Sequence, residues 1–234
     1  MAPSPFQVLP ASEADFPALT SLIVYSFKGH PTELLNTGDP LVPGVLEAAT
    51  ARHLHACRDH ASKFPGPVML KCVHTDPTTG EQEILAAAEW FIYSRERSRE
   101  EYEKIHCLLS AEWVEDHAGR EKLLKLRRPV HEQRVHWMAG KPYGLLMYLC
   151  VAPKWRKQGV GTMCVQRGLD RCRELGIPAY LEASSEGVPV YQKLGFEEMG
   201  VLRRTSWDDE EEEMPVMICW PEGTKDEAKR PAGR

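Results

Sequence analysis

Several features that would assign this chain to a specialised class are missing from its sequence. No stretch approaches the roughly 20 consecutive apolar residues that a membrane-spanning helix needs. The start of the chain, from Met1 to Gln7, lacks the basic and apolar regions of a secretory signal. Internal repeats, which would indicate a solenoid or a propeller, are also missing. We therefore expect a globular protein of the cytoplasm, with the nucleus as the alternative, and no membrane partner.

Metal and nucleic-acid signatures are missing as well. The seven cysteines form no C-x-x-C pair, and most lie in apolar contexts, as reduced core thiols do. His53 and His55 are two residues apart on a predicted helix, so they point to different faces and favour surface or packing roles. We predict no metal. The net charge of −5 lacks the positive excess typical of nucleic-acid binding, so we expect no nucleic-acid partner.

The composition that is present indicates one large folded unit. A chain of 234 residues with 42% hydrophobic and 27% charged residues can bury a sizeable core. We predict a single mixed α/β domain over residues 1–220. The tail over residues 221–234 is polar and without periodicity, so we expect it to be disordered.

Apolar spacing predicts the elements of the first half of the chain. We expect helices from Glu13, after the N-cap Ser12, to about Phe27 and over Val45–Lys63. Three predicted strands are Phe6–Pro10, Pro67–His74 and Glu83–Tyr93, the last two forming a hairpin. The connection from Lys28 to Gly44 is rich in proline and glycine and long for a loop, which is typical of a functional or disordered segment.

The block from Ser94 to Lys141 is densely charged and contains helical patches. We interpret this block, about residues 94–141, as a helical insertion beside a binding cleft, with Trp113 and Trp137 as anchors. A solvated decoration without a role is the alternative.

The second half of the chain alternates strands and helices. The apolar run Leu145–Val151 predicts a fully buried strand, followed by a helix to Leu175 with Gly176 just beyond its end. The remaining predicted elements are a fifth strand over Pro178–Ala183, a short helix over Glu186–Leu194, and a closing hairpin of Phe196–Arg204 and Met214–Trp220.

The turn after the buried strand is built to bind an anion. Pro153 ends the strand because proline has no N–H to donate. Arg156, Gly159 and Gly161 follow at R-x-x-G-x-G spacing, and the next helix starts there. Backbone N–H groups at a helix start attract phosphate, and glycine lets it approach closely. A tight turn without a ligand is the alternative.

Two common phosphate motifs do not fit this turn, but a third family does. A dinucleotide fingerprint would need glycine in place of Cys164, and a P-loop would need Gly-Lys-Ser/Thr. Thirty residues after Gly161 begins the second signal, Tyr191-Gln-Lys-Leu-Gly-Phe196. R-x-x-G-x-G followed by Y-x-K-L-G-F resembles the GCN5-related N-acetyltransferases (GNAT), and the specific resemblance covers Leu145 to Arg204. It implies a mostly antiparallel, twisted central sheet of about seven strands, splayed between strands 4 and 5 and flanked by helices, with the insertion between strands 3 and 4.

The resemblance also implies that the R-x-x-G-x-G turn grips the pyrophosphate of acetyl-CoA, while the end of strand 4 hydrogen-bonds its pantetheine arm. Cys150 could instead be an acyl-accepting nucleophile, but a core thiol is the simpler interpretation. Ser184 stands where relatives often have asparagine, and serine replaces only one of its hydrogen bonds. The implied cofactor-binding residues are Leu149, Cys150, Val151, Arg156, Lys157, Gln158, Gly159, Val160, Gly161, Thr162, Ser184 and Tyr191.

The chemistry of acetyl transfer needs a proton donor and a proton acceptor. In Y-x-K-L-G-F the resemblance makes Tyr191 the acid that protonates the departing thiolate, with simple aromatic packing as the alternative. Some relatives carry a base on strand 4, but Leu145 and Met147 occupy those places here. Glu182, at the end of strand 5, and Glu89, inside an apolar strand, are the candidate bases, and a water chain is equally compatible.

These patterns predict an acetyl-CoA-dependent N-acetyltransferase that uses a ternary complex and direct attack by a primary amine, most simply of a small molecule. A peptide or protein amine is the second enzymatic interpretation, and a non-catalytic acyl-CoA-binding domain is the third. The acidic run Asp208–Glu213 could steer a cationic amine, although such runs are usually only solvated.

Overall fold

A computed structural model describes residues 5–27, 39–103, 114, 117–205, 211–226 and 229–232. Its seven strands form a single sheet in the order β1-β2-β3-β4-β5-β7-β6. The strands are β1 Phe6–Pro10, β2 Met69–Thr75, β3 Gln82–Tyr93, β4 Tyr143–Val151, β5 Ala179–Glu182, β6 Glu197–Thr205 and β7 Glu211–Cys219. All pairs are antiparallel except β4 with β5. The predicted mixed α/β class is confirmed.

Six α-helices accompany the sheet in the described ranges: α1 Phe16–Ser26, α2 Val45–Lys63, α3 Arg99–Glu103, α4 His117–Trp137, α5 Val160–Leu175 and α6 Val188–Lys193. A single 3-10 turn at Glu13–Asp15 precedes α1, and the backbone N–H of Ser12 donates to the Asp15 carboxylate. Predicted and observed boundaries differ by three residues at most at strand ends. Helix α6 is two residues shorter at its start and one residue shorter at its end than the predicted Glu186–Leu194, because Gly187 and Pro189 fix its start. No helix in the described part of the chain combines the length and apolarity that crossing a membrane requires.

The sheet opens between β4 and β5. These two strands pair only at their first residues, Gly144 with Ala179 and Leu145 with Tyr180. Beyond that point β4 continues along β3, whereas β5 pairs with β7. The predicted splay is therefore confirmed, and it leaves β4 from Leu146 to Val151 without a paired strand on one edge.

A β-bulge lies where the strands separate. Glu89 pairs with Tyr148 and Trp90 with Leu146, so Met147 is the extra residue of β4. A bulge bends a strand and redirects its side chains. Met147 and Tyr148 consequently contact the clusters under α1, α2 and α4, whereas Leu146 packs against α5 on the opposite face.

Helix α5 packs tightly on the sheet through a glycine. A Cβ added at Gly168 would lie 2.1 Å from Cε2 of Trp90, a side chain that is fully buried. The indole therefore occupies the space that any side chain at this position would need. The R-x-x-G-x-G turn leads directly into α5. The contact between Gly168 and Trp90 sets the distance of α5 from the sheet, and therefore also the distance of the turn from the sheet.

We expect Gly168→Ala to destabilise the fold by about 1–3 kcal/mol, the usual cost of overpacking a core. A loss of stability would be informative, because replacing glycine by alanine in a helix interior ordinarily increases stability. Denaturant unfolding measures the change. Gly200→Ala is the control, because its Cβ would meet only Trp137 at 4.0 Å. Equal stability of both variants would contradict the packing described.

The insertion between β3 and β4 is helical where the structure describes it. Helix α4 packs on β6, and Trp137 at its end is buried with Tyr143, Tyr180 and Leu202. Trp137 is thus an anchor, as predicted, while Trp113 lies outside the described residues. Part of the Lys28–Gly44 connection, residues 28–38, also lies outside them.

Candidate active site

One cavity of about 1740 Å³ joins the R-x-x-G-x-G turn to the splay and to the insertion. Its floor is β4, from Tyr143 to Val151. One wall comes from α2 and the other from α4, so the insertion does line a cleft. Every predicted cofactor residue lines this cavity except Gln158 and Val160. The side-chain amide of Gln158 donates to the carbonyl of Lys154, and Val160 is buried in the core.

The turn at the mouth of the cavity has the backbone of an anion cradle. Lys157 has φ +60° and Gly159 has φ +82°, both in the left-handed region, and α5 begins at the next residue, Val160. A non-glycine residue in this region costs roughly 1 kcal/mol or more and occurs mostly at functional sites. Turns of this kind direct successive N–H groups to one point, where the helix dipole adds positive potential.

The residues of the cradle fit a phosphate ligand. Cβ of a side chain at Gly161 would lie 3.3 Å from Cγ2 of Val151 and 3.7 Å from Cδ2 of Leu149, so glycine keeps the path from turn to strand open. The Arg156 guanidinium bonds the carbonyl of Val151 at 3.2 Å and remains exposed to solvent. These features would suit a pyrophosphate at the turn and a narrow arm along the strand end.

Tyr191 lies in the same cavity on α6 and is 8% exposed. Its ring meets Phe196 edge-on at 5.7 Å, and a Cβ on Gly187 would lie 2.7 Å from Cε2 of Tyr191. Burial, and then the neighbouring Cys150, raises the pKa of Tyr191 to about 12. The phenol is therefore protonated throughout the neutral range and can only donate a proton there. This is the state that an acid catalyst requires.

Glu182 occupies the other side of the splay, but it is not free. Both of its oxygens accept hydrogen bonds from Arg134 of α4, each at 2.8 Å. Burial opposes the charge of Arg134, but the Glu182 carboxylate outweighs it and raises the pKa of Arg134 above its ordinary value. The same guanidinium contacts Sδ of Met147 at 3.7 Å, at the bulge. The pair joins the insertion helix to the sheet across the cavity.

Glu89 is fully buried on β3 and does not line the cavity. Its carboxylate lies 3.2 Å from Nδ1 of His53 and 3.7 Å from the Cys57 thiol, both on α2. Burial, and then the Glu89 carboxylate, raises the pKa of Cys57. His53 also stacks edge-on with Tyr148, which does line the cavity. This polar cluster explains why a carboxylate is tolerated inside an apolar strand.

The acidic hairpin is partly neutralised where the structure describes it. Glu212 pairs with Arg204 at 2.6 Å and Glu213 pairs with Arg203 at 2.7 Å. Residues 208–210 of the predicted acidic run lie outside the described residues, whereas Glu211 begins β7. The steering role of Asp208–Glu213 stays a prediction.

Arg134 and Arg97 are among the cavity residues that sequence reasoning missed. Both come from the insertion, which has no recognisable motif. Arg134 has no signal of its own in the sequence. Arg97 has no signal in the sequence either, because the three arginines at 95, 97 and 99 stand among four glutamates at 96, 100, 101 and 103. Among the described residues, no group of three or more histidine, cysteine or acidic side chains is placed to hold a metal.

Comparison with known proteins finds a family model that matches the central segment of the chain. Residues 83–196, from β3 to the end of the Y-x-K-L-G-F motif, match the model described as the Acetyltransferase (GNAT) family. A protein of Ajellomyces capsulatus named "Probable acyltransferase SID5" is 33% identical over 78 residues. That match covers 32% of this chain and 56% of the relative, so the chain spans about half the length of the relative.

Solved structures share the fold over nearly the whole chain. A structure described as histone acetyltransferase HPA2 and related acetyltransferase, from Corynebacterium glutamicum, has a TM-score of 0.55 at 23% identity and covers 94% of this chain and 98% of its own. The polyamine N-acetyltransferase of Drosophila melanogaster has a TM-score of 0.59 at 14% identity and covers 91% and 98%. At these identities the similarity concerns the fold.

Proposed function

Because residues 83–196 belong to the GNAT acetyltransferase family, we propose that this protein transfers the acetyl group of acetyl-CoA to a primary amine of a small molecule. In this reaction the amine nitrogen forms a bond to the acetyl carbon and the carbon–sulfur bond breaks. The amine loses a proton, and the departing thiolate of CoA gains one. Both substrates bind together, and the amine attacks the thioester directly.

One observation supports this proposal most strongly, namely that the anion cradle, the splay and Tyr191 share one cavity. A pyrophosphate held at Arg156–Thr162 would leave the pantetheine arm to run along Leu149–Val151, where β4 has no β5 partner. Unpaired backbone groups of the strand end are then available to hydrogen-bond the arm and to polarise the thioester carbonyl. The acyl end would lie near the phenol of Tyr191, which protonates the thiolate.

The environment of Cys150 favours direct attack of the amine on the thioester over a mechanism with an acyl-enzyme intermediate. Cys150 is buried on β4, 3% exposed, beside Tyr191. A nucleophilic cysteine needs a thiolate, which an electropositive, partly exposed environment favours. We therefore assign Cys150 to the wall of the cofactor channel.

The proton acceptor for the amine is proposed to be water in the cavity. Glu182 has both oxygens engaged by Arg134, and Glu89 is separated from the cavity by Tyr148 and the wall of α2. This geometry favours positioning roles over the base roles that the sequence suggested for these two carboxylates. Glu182 positions Arg134, and Glu89 holds His53 behind Tyr148.

We expect Glu182→Gln to keep the pH profile of kcat/KM and to lower the free energy of unfolding by about 2 kcal/mol. The reason is that glutamine accepts one hydrogen bond from Arg134 but leaves its buried charge uncompensated. Glu89→Gln should likewise keep the profile. Profiles and melting temperatures of both variants, measured side by side, decide the roles. A titration that disappears in either variant would assign that carboxylate as the base.

Release of free thiol from acetyl-CoA, measured against a panel of small amines and of peptides with free N-termini or lysines, tests the proposed function. We expect release with small amines and little with peptides. Release with peptides alone would favour a protein acetyltransferase. Tight binding of acetyl-CoA without release in any mixture would favour a non-catalytic acyl-CoA-binding domain.

A further inference from the structure

The end of the cavity furthest from the cradle contains a cation that is held rigidly. Arg97 follows β3, and its guanidinium lies 3.9 Å from the ring centre of Tyr93 and 5.2 Å from that of Tyr143. Its Nη2 donates to the carbonyl of Ala139 at 2.7 Å, and its backbone N–H donates to the carbonyl of Gly140 at 2.8 Å. The orientation of the fork is therefore set before any ligand arrives.

This fork has an unused donor. Nε of Arg97 is buried and has no hydrogen-bond acceptor among the described residues. The neighbouring arginines are matched: Arg95 of the same loop pairs with Glu101 at 2.8 Å, and Arg99 at the start of α3 pairs with Glu103 at 2.7 Å. A buried donor without an acceptor is costly, and native structures usually complete it with a ligand or water. Arg97 lines the cavity, whereas Arg95 and Arg99 do not.

Arg97 forms no ion pair with a carboxylate among the described residues, although Glu103 and Glu132 lie in the same neighbourhood. Arg134, nearby on α4, is neutralised by Glu182. Burial, and then the charge of Arg134, lowers the pKa of His131, which Arg97 lowers further while Glu132 and Glu103 raise it. His131 thus adds little positive charge at neutral pH, and it lies within reach of both arginines. An arginine that has no ion-paired carboxylate favours the binding of a negatively charged group at this end of the cavity.

We propose that Arg97 binds a carboxylate of the acceptor, so that the acceptor is an amine carrying a carboxylate several bonds from its nitrogen. This inference rests on the proposed function and names its substrate class. One unused donor on a planar fork suits a carboxylate, whereas a phosphate would leave most of its oxygens without donors. Tyr143, under the guanidinium, lies four residues before the bulge at Met147, roughly 13 Å along the strand. A separation of this order is much longer than the distance between the amine and the carboxylate of an α-amino acid, so it favours an ω-amino acid.

The test compares ω-amino acids from glycine to 6-aminohexanoate with n-alkylamines of the same chain lengths, by thiol release. For the wild-type protein we expect kcat/KM to be higher for the amino acids and to rise with their length. Arg97→Met should lower kcat/KM for the longer amino acids by about 10- to 100-fold, mainly through KM, and leave the alkylamines unchanged. Arg97→Lys should recover only part of the loss, because lysine keeps the charge but not the fork.

Arg95→Met is the matched control, because it removes an arginine of the same loop that lies 4.8 Å over the ring of Phe64 and is paired with Glu101. It should leave both substrate series unchanged. Equal losses for amino acids and alkylamines in Arg97→Met, or a wild-type preference for alkylamines, would overturn the proposal.

A binding measurement separates failure of this inference from failure of the proposed function. Calorimetry compares N-acetyl-6-aminohexanoate with the uncharged N-hexylacetamide on the wild-type protein and on Arg97→Met. Carboxylate-dependent binding that Arg97→Met removes supports the subsite even if no amine is turned over. Thiol release with amines, together with no preference for the carboxylate in binding or turnover, overturns the subsite and leaves the transferase proposal intact.

Discussion

Replacing Gly161 by glutamate is expected to reduce the affinity for acetyl-CoA by about 100-fold or more, equivalent to about 3 kcal/mol. The reason lies in the cradle. A Cβ at this position already approaches Val151 to 3.3 Å, and the rest of the side chain would extend over the channel between turn and strand. A carboxylate there would also repel the pyrophosphate at a helix start that otherwise favours negative charge. Isothermal titration calorimetry measures the affinity directly.

Two controls at the same position separate the causes. Gly161→Ala adds only the Cβ, and we expect a modest loss of affinity, since the contact with Val151 is tight but relieved by a small shift of that side chain. Gly161→Gln introduces a side chain of the same size as glutamate but without its charge. We expect its affinity for acetyl-CoA to lie between those of Gly161→Ala and Gly161→Glu. Unchanged affinity in a folded Gly161→Glu protein would exclude this turn as the phosphate site.

The second large effect is expected for Tyr191→Phe, which should lower kcat by about 100-fold, as loss of one general acid does, while cofactor affinity is kept. Phenylalanine preserves the contact with Phe196 and the packing over Gly187. The pKa of Tyr191 is raised to about 12, so the acid stays protonated as the pH rises. We therefore expect no fall of the wild-type kcat from loss of this proton between pH 7 and about 11.

The variant should accordingly be slower at every pH in that interval, with the same profile shape. Single-turnover measurements establish that chemistry, rather than product release, limits the rate. If Tyr191→Phe kept the wild-type kcat under those conditions, the role of Tyr191 would be limited to packing. An alkaline limb near pH 10 that is present in the wild type and missing in the variant would show that the pKa of Tyr191 is not raised.

The second half of the chain illustrates what the sequence determines on its own. The buried strand before Pro153, the left-handed glycine at the end of α5 and the Y-x-K-L-G-F helix all depend on local rules of apolar spacing, capping and turn chemistry. These rules act within a few residues, so the elements appear where they were predicted. The splay between β4 and β5 was predicted from the family resemblance alone. No sequence pattern within either strand predicts it.

The part of the cavity proposed to bind the acceptor amine could not be predicted, because its residues make contacts between distant parts of the sequence. The pair of Glu182 with Arg134 joins residues 48 positions apart, and the contact of Glu89 with His53 joins residues 36 positions apart. A carboxylate inside an apolar strand signals only that it needs a partner, not which one. The guanidinium of Arg97 is oriented by Tyr93, Tyr143 and Ala139. These residues come close together only because the insertion folds back on β4.

We propose that one cavity brings a thioester and an amine together for direct transfer. Mass spectrometry after a single turnover tests it most directly, with acetyl-CoA and 6-aminohexanoate or a small alkylamine, and with acetyl-CoA alone. We predict that the amine gains the mass of one acetyl group for each free thiol released, and that the protein incubated without amine gains none at Cys150. Thiol release that is equal with and without amine, or an acetyl group retained on Cys150 and passed on later, would contradict direct transfer.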